Sequence, residues 1–349
     1  MPDRVRLPAT VDNGAQMLGD LQVAIVGHGL LAGAIGEALE AAASPVDRVR
    51  AYDLADLSAL SDFADLVDEA EGSPDGRLVV TASDGWDGRG YERIPGLCVS
   101  YRTSWLPVRT ELGRTVIGPL HTPGVSGCVT CADLRRSQAD DRFEVRQSVR
   151  QRYPRLADQP SPWLTDLTAR TVAAVTADEV IRSARSRSGR ARCALLYVDL
   201  ETLAVSVHRF LPDPLCPVCG AQPADDPDAA RIALRPRPKP APSRYRVRPL
   251  GDDDLKRLRE TYVDNETGLI RRADAFASGS LAVGAAEMKT RWQPRAEMSW
   301  GRTLRHRTSE TVAVLEALER YGGMVPTGRR SVVQASFAEV RDTAVDPRA

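Results

Sequence analysis

The chain has 349 residues, which is enough for two ordinary domains, and 42% of them are hydrophobic, which is enough to bury a core in each. Its 47 basic and 47 acidic residues balance to a formal net charge of zero, which argues against nucleic acid or an anionic membrane as a partner. The sequence contains no signal peptide and no apolar run of membrane-spanning length, so it predicts a cytoplasmic protein.

The N-terminal part of the chain alternates between strands and helices. An apolar strand, a glycine turn and an apolar helix occupy residues 22–43. Further strands are predicted at residues 48–53, 77–84 and 97–102, and a polar helix at residues 57–71. This alternation predicts an α/β fold with a mostly parallel sheet that is covered by helices on both faces.

A change of composition after residue 220 predicts a domain boundary. Before it, apolar residues at helical spacing predict one long helix at residues 165–188, and a strand pair follows in ALLYVDL and LAVSVHRFL. Residues 221–243 are rich in proline, which favours an extended linker over a helix or a central strand. The sequence therefore predicts a first domain at residues 1–220 and a second unit at residues 244–349.

The second unit contains a helix that carries two carboxylates. This helix is predicted to begin at residues 308–309 and to end at the glycine pair 322–323, before a strand in SVVQASF. Glu316, Glu319 and Arg320 share one face of it because they lie three and four residues apart. Two carboxylates so placed can hold Mg²⁺ against a triphosphate. The alternative is a solvated face with a Glu316–Arg320 ion pair, which the spacing alone favours.

Four of the six cysteines form two C-x-x-C pairs, which predict a zinc site. Each pair makes a tight turn with two thiolates, and two such turns provide the tetrahedral sulfur site that zinc prefers. The predicted ligands are Cys128, Cys131, Cys216 and Cys219. A redox role is less favoured because the second pair precedes a linker and not a helix beside a βαβ unit. Cys98 and Cys193 lie in apolar segments that predict strands, so we expect them in the core.

The glycine turn after the first strand matches the dinucleotide fingerprint G-x-G-x-x-G/A. Gly27, Gly29 and Ala32 occupy its small positions, and Asp53 ends the next strand, where a ribose-binding acid would lie. Tight packing of a strand against a helix needs the same small residues without any nucleotide, and we favour this structural interpretation. His28 in the turn is expected to be a surface or packing residue.

The order of these segments resembles that of fused cyclodehydratases, in which a ThiF-like part precedes a YcaO part. The ThiF-like part is similar in VAIVGHGLLAGAI, VTASDGWD, WLPVRTELGRTVIGPLHTPGVSGCVTCADLRR and VDLETLAVSVHRFLPDPLCPVCG. The YcaO part is similar in TYVDNETGLIRR, SWGRT, SETVAVLEALERYGG and PTGRRSVVQASF. The resemblance implies a Rossmann-like, ThiF-like domain with a structural zinc site, followed by an incomplete α+β YcaO domain.

The resemblance implies ATP-dependent formation of thiazoline or oxazoline rings in a ribosomally made precursor peptide. In this family a Cys, Ser or Thr side chain attacks the preceding carbonyl, ATP phosphorylates the resulting oxyanion, and loss of phosphate leaves the ring. The YcaO part would bind ATP and Mg²⁺, while the ThiF-like part presents the peptide. The family's motif S-x-x-x-E-x-x-E-R falls on Glu316, Glu319 and Arg320, with Val312 in place of its serine. Its glycine-rich loop matches Gly301 and Arg302, where arginine replaces the usual lysine.

Several departures from the family shape these expectations. The segment 53–63 lacks the arginine that holds phosphates in adenylating ThiF relatives, so we expect no activation chemistry there. Only residues 1–21 precede the first strand, so no winged-helix module is expected, and a separate leader-peptide-binding protein is an expected partner. The second unit is short for a YcaO domain, which predicts a truncated chain that is incomplete for catalysis. The resemblance leaves a homodimer open.

Two other function classes compete with the enzyme interpretation. A zinc-stapled scaffold would bind the precursor peptide or a partner protein without using ATP. A nicotinamide-dependent oxidoreductase would use the glycine turn and Asp53, but this hypothesis gives no role to the four cysteines or to the Glu316–Arg320 helix.

Overall fold

A seven-stranded sheet forms the centre of the first unit. The structure is a computed structural model and describes residues 21–42, 46–52, 77–86, 94–157, 159–186, 189–220, 231–243, 251–290, 295–324, 334–346 and 348. The strands are β1 (Leu21–Gly27), β2 (Val46–Tyr52), β3 (Arg77–Ser83), β4 (Ser104–Glu111), β5 (Arg114–Ile117), β6 (Ala194–Asp199) and β7 (Val205–Arg209). The described helices are α1 (Leu30–Ala41), α2 (Ile94–Ser100), α3 (Val129–Ala139), α4 (Asp141–Arg152), α5 (Pro154–Ala157) and α6 (Asp166–Ser186).

Helices cover both faces of this sheet, as the sequence predicts. Side chains alternate between the two faces along each strand. Ile25 of β1 and Leu196 of β6 point to one face, where α1 and α6 pack on the sheet and on each other. Val26 and Leu195 point to the other face, which α2 and α3 cover. The largest hydrophobic core therefore lies on the α1 and α6 side, and the cysteine pairs lie on the opposite side.

The sheet is parallel only in its first half, so the prediction of a mostly parallel sheet is wrong for the rest. The order is β2-β1-β3-β4-β5-β6-β7, with β1 to β4 parallel and β5 to β7 paired antiparallel. Only residues 112–113 join β4 to β5, and residues 200–204 join β6 to β7. Such short connections can only form hairpins, because a parallel pair needs a long crossover.

The described residues of the second unit form a three-stranded antiparallel sheet, with a long helix across one face and two further helices. Its elements are α7 (Asp252–Tyr262), β8 (Arg272–Ser278), β9 (Leu281–Met288), β10 (Glu297–Thr303), α8 (His306–Met324) and α9 (Phe337–Val340). Gly284 and Gly301 lie where α8 crosses the sheet, and a Cβ atom on them would come within 2.3 and 1.9 Å of the Ser309 carbonyl oxygen. The close approach of helix and sheet therefore requires glycine at both positions.

Two local predictions are wrong. Residues 97–102 do not form a strand, since Ile94–Ser100 is helix α2, with Ile94 and Cys98 buried one helical turn apart. Helix α8 does not end at the glycine pair 322–323 but continues to Met324. Each glycine costs a helix roughly 1 kcal/mol, but Tyr321 and Met324 pack against the core of the second unit and offset this cost.

The remaining local predictions differ in outcome. The long helix and the hairpin of β6 and β7 are confirmed. Phe337 begins helix α9 and residues 334–336 are not in a strand, so this part of the predicted SVVQASF strand is wrong. Residues 231–243 contain neither helix nor strand, and the domain boundary near them stays a prediction. The predicted helix at 57–71 lies outside the described residues.

In the described part of the chain, no helix is both long and apolar enough to cross a membrane.

Polar contacts join the two units. Glu266, which precedes β8, is only 5% exposed and accepts hydrogen bonds from Arg114 at 3.2 Å and from Arg142 at 3.4 Å. The carboxylate of Asp264 lies 3.1 Å from the Nδ1 atom of His208 on β7. A buried carboxylate is costly unless it is paired, so Glu266 fixes how the second unit docks on the first.

His121 predicts a loss of stability at mildly acidic pH. Its ring is buried, and neither ring nitrogen has a hydrogen-bond partner among the described residues. Burial lowers the pKa of His121 below its ordinary value of 6.5, so the folded state keeps this ring neutral while the unfolded chain takes up a proton. Stability should therefore fall as the pH drops below 6.5. The loss is on the order of 1 kcal/mol for each unit by which the pKa of His121 differs between the folded and unfolded states.

This pH dependence can be measured by urea unfolding at about pH 7 and about pH 5.5. We expect the free energy of unfolding to fall less between these two pH values in the protein with His121→Leu than in the unchanged protein. His306→Gln, at an exposed position, is the matched control and should leave the loss unaltered. An equal loss in the protein with His121→Leu would contradict the prediction.

Candidate functional site

The structure brings the two cysteine pairs together. Cys128 precedes α3 and Cys131 lies in its first turn, while Cys216 and Cys219 lie in the turn after β7. The Sγ atoms of Cys128 and Cys216 are 3.6 Å apart, those of Cys131 and Cys219 are 3.3 Å apart, and all four lie within 4.8 Å of one another. The sulfurs thus form one candidate metal centre between segments that are far apart in the chain.

The surroundings of the four sulfurs suit thiolates that bind a cation. The backbone N–H of Gly127 donates to Cys219 Sγ at 3.4 Å, and that of Asp213 donates to Cys131 Sγ at 3.3 Å. Gly127 has a φ of 112°, and a Cβ atom there would lie 2.5 Å from Cys193 Sγ, so this position requires glycine. Cys128, Cys131 and Cys216 are at most 4% exposed.

In the absence of a cation, hydrogen bonds from Cys128 and Cys131 lower the pKa of the Cys216 thiol, so one thiolate is favoured while ionisation of Cys131 is opposed. The neighbouring sulfurs of Cys128 and Cys216, together with burial, raise the pKa of the Cys131 thiol well above its usual range. A divalent cation would reverse this effect, because it favours the thiolate form of each ligand. In a tetrahedral zinc site the sulfurs lie about 3.8 Å apart, given Zn–S bonds of about 2.3 Å. The four sulfurs therefore fit a zinc ion in spacing and in chemistry.

The glycine turn before α1 is filled by a carboxylate of the chain itself. Asp84, just after β3, accepts hydrogen bonds from the backbone N–H groups of Leu30 at 2.7 Å and Leu31 at 2.9 Å. These donors at a helix N-terminus are the ones that would bind a dinucleotide phosphate. A Cβ atom on Gly29 would lie 2.1 Å from Asp84, so the fingerprint glycine makes room for this contact. The arrangement supports a structural turn, while Asp53 lies outside the described residues.

Helix α8 places the predicted nucleotide residues along the edge strand β10. Glu316 accepts a hydrogen bond from the backbone N–H of Trp300 at 2.9 Å and one from Arg320 at 2.8 Å. The Trp300 N–H group is the main cause that lowers the pKa of Glu316, and Arg320 and Arg302 lower it further. Glu319 is exposed on the same helix. Glu316, Arg320 and Arg302 thus form one charged group, with Glu316 held as a carboxylate.

Two predictions of local structure are wrong, while the nucleotide role of Gly301 and Arg302 stays a prediction. Gly301 and Arg302 lie within strand β10 and not in a loop, and Gly301 serves the packing of α8 on the sheet. Cys98 and Cys193 lie outside the strands, since Cys98 is in α2 and Cys193 precedes β6. Cys98 is nevertheless buried, as expected, whereas Cys193 is only partly buried.

A buried charge cluster beside α3 was not predicted from the sequence. Arg136 on α3 donates two hydrogen bonds to Glu111 on β4, at 2.9 and 2.5 Å, and Arg109 donates a third at 2.9 Å. Glu111 is 1% exposed and Arg136 is fully buried. Burial alone would raise the pKa of Glu111, but Arg136, Arg109 and Arg114 outweigh it and hold this pKa well below its usual range.

Comparisons with known proteins show similarity of fold. No family model and no curated protein matches the chain. Among solved structures, a heterocyclase in complex with substrate and cofactor matches with a TM-score of 0.61 and 16% identity over 95% of this chain. The heterocyclase TruD matches with a TM-score of 0.54 and 19% identity over 96% of this chain. The chain spans 43% and 40% of the length of these two proteins.

Proposed function

We propose that this chain belongs to an ATP-dependent cyclodehydratase that forms thiazoline or oxazoline rings in a ribosomally made peptide. One observation carries the proposal: the fold is similar to that of a heterocyclase over 95% of the chain, so the likeness covers both units. The order of the sequence segments that resemble ThiF-like and YcaO proteins supports the same assignment. The substrate is then a precursor peptide, with a separate leader-binding protein as a partner in the cytoplasm.

The four cysteines would hold a structural Zn²⁺ ion in this enzyme. Four sulfurs within 4.8 Å of one another would fill all four positions of a tetrahedral site, which leaves none for a substrate or a water ligand. A closed four-cysteine site is typical of structural and not catalytic zinc. The ion would link the start of α3 to the turn after β7. It would thereby fix the side of the sheet on which the second unit docks.

Helix α8 would bind Mg²⁺ and ATP. Glu316 and Glu319 would supply carboxylate oxygens to Mg²⁺, and Arg320 and Arg302 would face the phosphates. The lowered pKa of Glu316 supports this role, because an ionised carboxylate is the form that binds Mg²⁺. When bound, ATP supplies the phosphoryl group that turns the peptide oxygen into a leaving group. The Rossmann-like part would take no part in this chemistry, since Asp84 fills its phosphate position.

One observation favours the alternative of a zinc-stapled scaffold that binds peptide without ATP. The carboxylate of Glu316 already accepts hydrogen bonds from Trp300 and Arg320, which is the ion-paired arrangement of an ordinary helix face. Binding of Mg²⁺ at this carboxylate would have to compete with the existing contacts. The two functions therefore differ in whether α8 binds a nucleotide.

Calorimetric titration with ATP and Mg²⁺ distinguishes the two functions. We expect weak binding by the unchanged chain, and at least a tenfold weaker affinity still, about 1.4 kcal/mol, after Glu316→Gln or Glu319→Gln. Glu260→Gln on α7 removes an exposed helix carboxylate outside this charged group and should leave the affinity unaltered. Binding that survives both α8 substitutions would show that the nucleotide does not bind at α8, and no binding by the unchanged chain would favour the scaffold.

A further inference from the structure

Arg135 lies between the four-cysteine centre and helix α8. It is on α3, one helical turn after Cys131, so the two side chains share one side of that helix. Its side chain is buried, with 2% of the residue exposed. A guanidinium group stays charged when it is buried. Hydrogen bonds within the protein must therefore replace those that it would make to water.

The guanidinium of Arg135 holds the segment that leads into the second cysteine pair. It donates to the carbonyl oxygens of Leu211 at 2.9 Å and Pro212 at 3.2 Å. The next residue, Asp213, donates its backbone N–H to Cys131 Sγ at 3.3 Å and accepts from Cys216 N at 3.0 Å. Residues 211–213 are therefore held by Arg135 on one side and by the cysteine centre on the other.

The same guanidinium reaches across to the second unit. Its Nη1 atom donates to the hydroxyl of Tyr321 at 2.8 Å, and the guanidinium carbon lies 5.9 Å from the centre of the Tyr321 ring. Tyr321 follows Arg320 directly and lies two residues after Glu319 on α8. Arg135 thus contacts both the segment that carries the second cysteine pair and the helix that carries the carboxylates.

We propose that Arg135 and Tyr321 are positioning residues that couple the metal centre to the carboxylate-bearing end of α8. A metal ion bound to the four cysteines fixes Asp213 through its contact with Cys131, and so fixes the carbonyl groups that orient Arg135. Arg135 then fixes the position of Tyr321 and of the adjacent Arg320 and Glu319. The relevance of this coupling to nucleotide binding rests on the proposed function, but the coupling itself does not.

The contacts elsewhere in the interface make this coupling testable. Glu266 with Arg114, and Asp264 with His208, join the two units without Tyr321. Tyr321→Phe removes only the hydroxyl, so it should break the contact with Arg135 and leave the units docked. The matched control is Tyr262→Phe, because Tyr262 packs against the same core and its hydroxyl has no hydrogen-bond partner among the described residues.

Hydrogen exchange by mass spectrometry on the metal-loaded full chain provides the first test. We expect Tyr321→Phe to raise the exchange rate of amides in residues 316–324 severalfold, while Tyr262→Phe leaves it unaltered. Coupling between two sites is reciprocal, so Tyr321→Phe should also lower the affinity of the four cysteines for zinc, on the order of fivefold. Competition with a chromophoric chelator measures this affinity. Equal zinc affinity in the two tyrosine variants would overturn the proposal.

Titration with ATP and Mg²⁺ separates this proposal from the proposed function. If the coupling holds, Tyr321→Phe weakens nucleotide binding severalfold although both glutamates are intact. If the unchanged chain binds no nucleotide but the zinc affinity still depends on Tyr321, the coupling stands and the proposed function fails. If nucleotide binding depends on Glu319 and zinc affinity is insensitive to Tyr321, the proposed function stands and the coupling fails.

Discussion

Replacing Cys131 by serine should release the metal ion and destabilise the first unit strongly. Cys131 is fully buried, and its sulfur contacts Cys219 at 3.3 Å and the backbone of Asp213 at 3.3 Å. Structural zinc contributes about 10–16 kcal/mol in small zinc-finger peptides. This chain also has an extensive hydrophobic core, so we expect a smaller loss of about 5 kcal/mol and a fall in Tm of roughly 10–20 °C.

Metal analysis of the purified chain and thermal unfolding test this prediction. The unchanged protein should contain one zinc ion per chain, and Cys131→Ser should contain almost none. Cys98→Ser is the matched control, because Cys98 is also fully buried but lies in α2, outside the centre. It should keep the zinc ion and lose less stability. Purified protein without stoichiometric metal, and with the same Tm after Cys131→Ser, would show that the four cysteines are only core residues.

Replacing Glu111 by glutamine should lower the free energy of unfolding by about 3–5 kcal/mol at neutral pH, because it leaves the buried Arg136 with only Asp133, 3.6 Å away, as an ionic partner. The substitution should also change the response to acid. The guanidinium groups of Arg136, Arg109 and Arg114 overcome the effect of burial and hold the pKa of Glu111 well below its ordinary value of 4.5. The contribution of Glu111 to stability is therefore complete at pH values above 4.5. It is lost as the pH falls from there toward the lower pKa that Glu111 has in the folded protein.

Urea unfolding at about pH 7 and about pH 4 measures both effects. The unchanged protein should lose stability between these values, and the protein with Glu111→Gln should start lower and lose less. Glu144→Gln removes a carboxylate that is 67% exposed and pairs with Lys289, so it should cost less than about 1 kcal/mol. If Glu111→Gln costs no more than this control, the buried pair does not hold α3 against the sheet.

The sequence by itself determined the elements with strong local signals. Strand β1 and helix α1 follow from an apolar run, a glycine turn and apolar residues at helical spacing. The long helix α6 follows from the same periodicity over many residues. Each C-x-x-C pair needs only a tight turn to bring its two sulfurs together, so the three-residue spacing by itself predicts that they lie close to each other. These features depend on interactions between residues that are close in the chain.

Local signals misled where packing competes with propensity. The glycine pair 322–323 is a common helix end, but α8 continues to Met324 because Tyr321 and Met324 pack on the core. Residues 97–102 contain apolar residues that fit a strand, but burial of Ile94 and Cys98 one helical turn apart favours a helix. A short apolar run does not distinguish the two structures, because the partner surface decides which periodicity is buried.

Only the tertiary structure decided which distant side chains meet. The two cysteine pairs converge across 88 positions from Cys128 to Cys216, whereas the sequence could only suggest that they do. Asp84 closes the turn at Gly29, Arg136 pairs with Glu111, and Arg135 reaches Tyr321 across 186 positions. The chain has 47 basic and 47 acidic residues, so composition and spacing allow very many pairings. Burial selects among them, because a charge removed from water must find its partner in the folded chain.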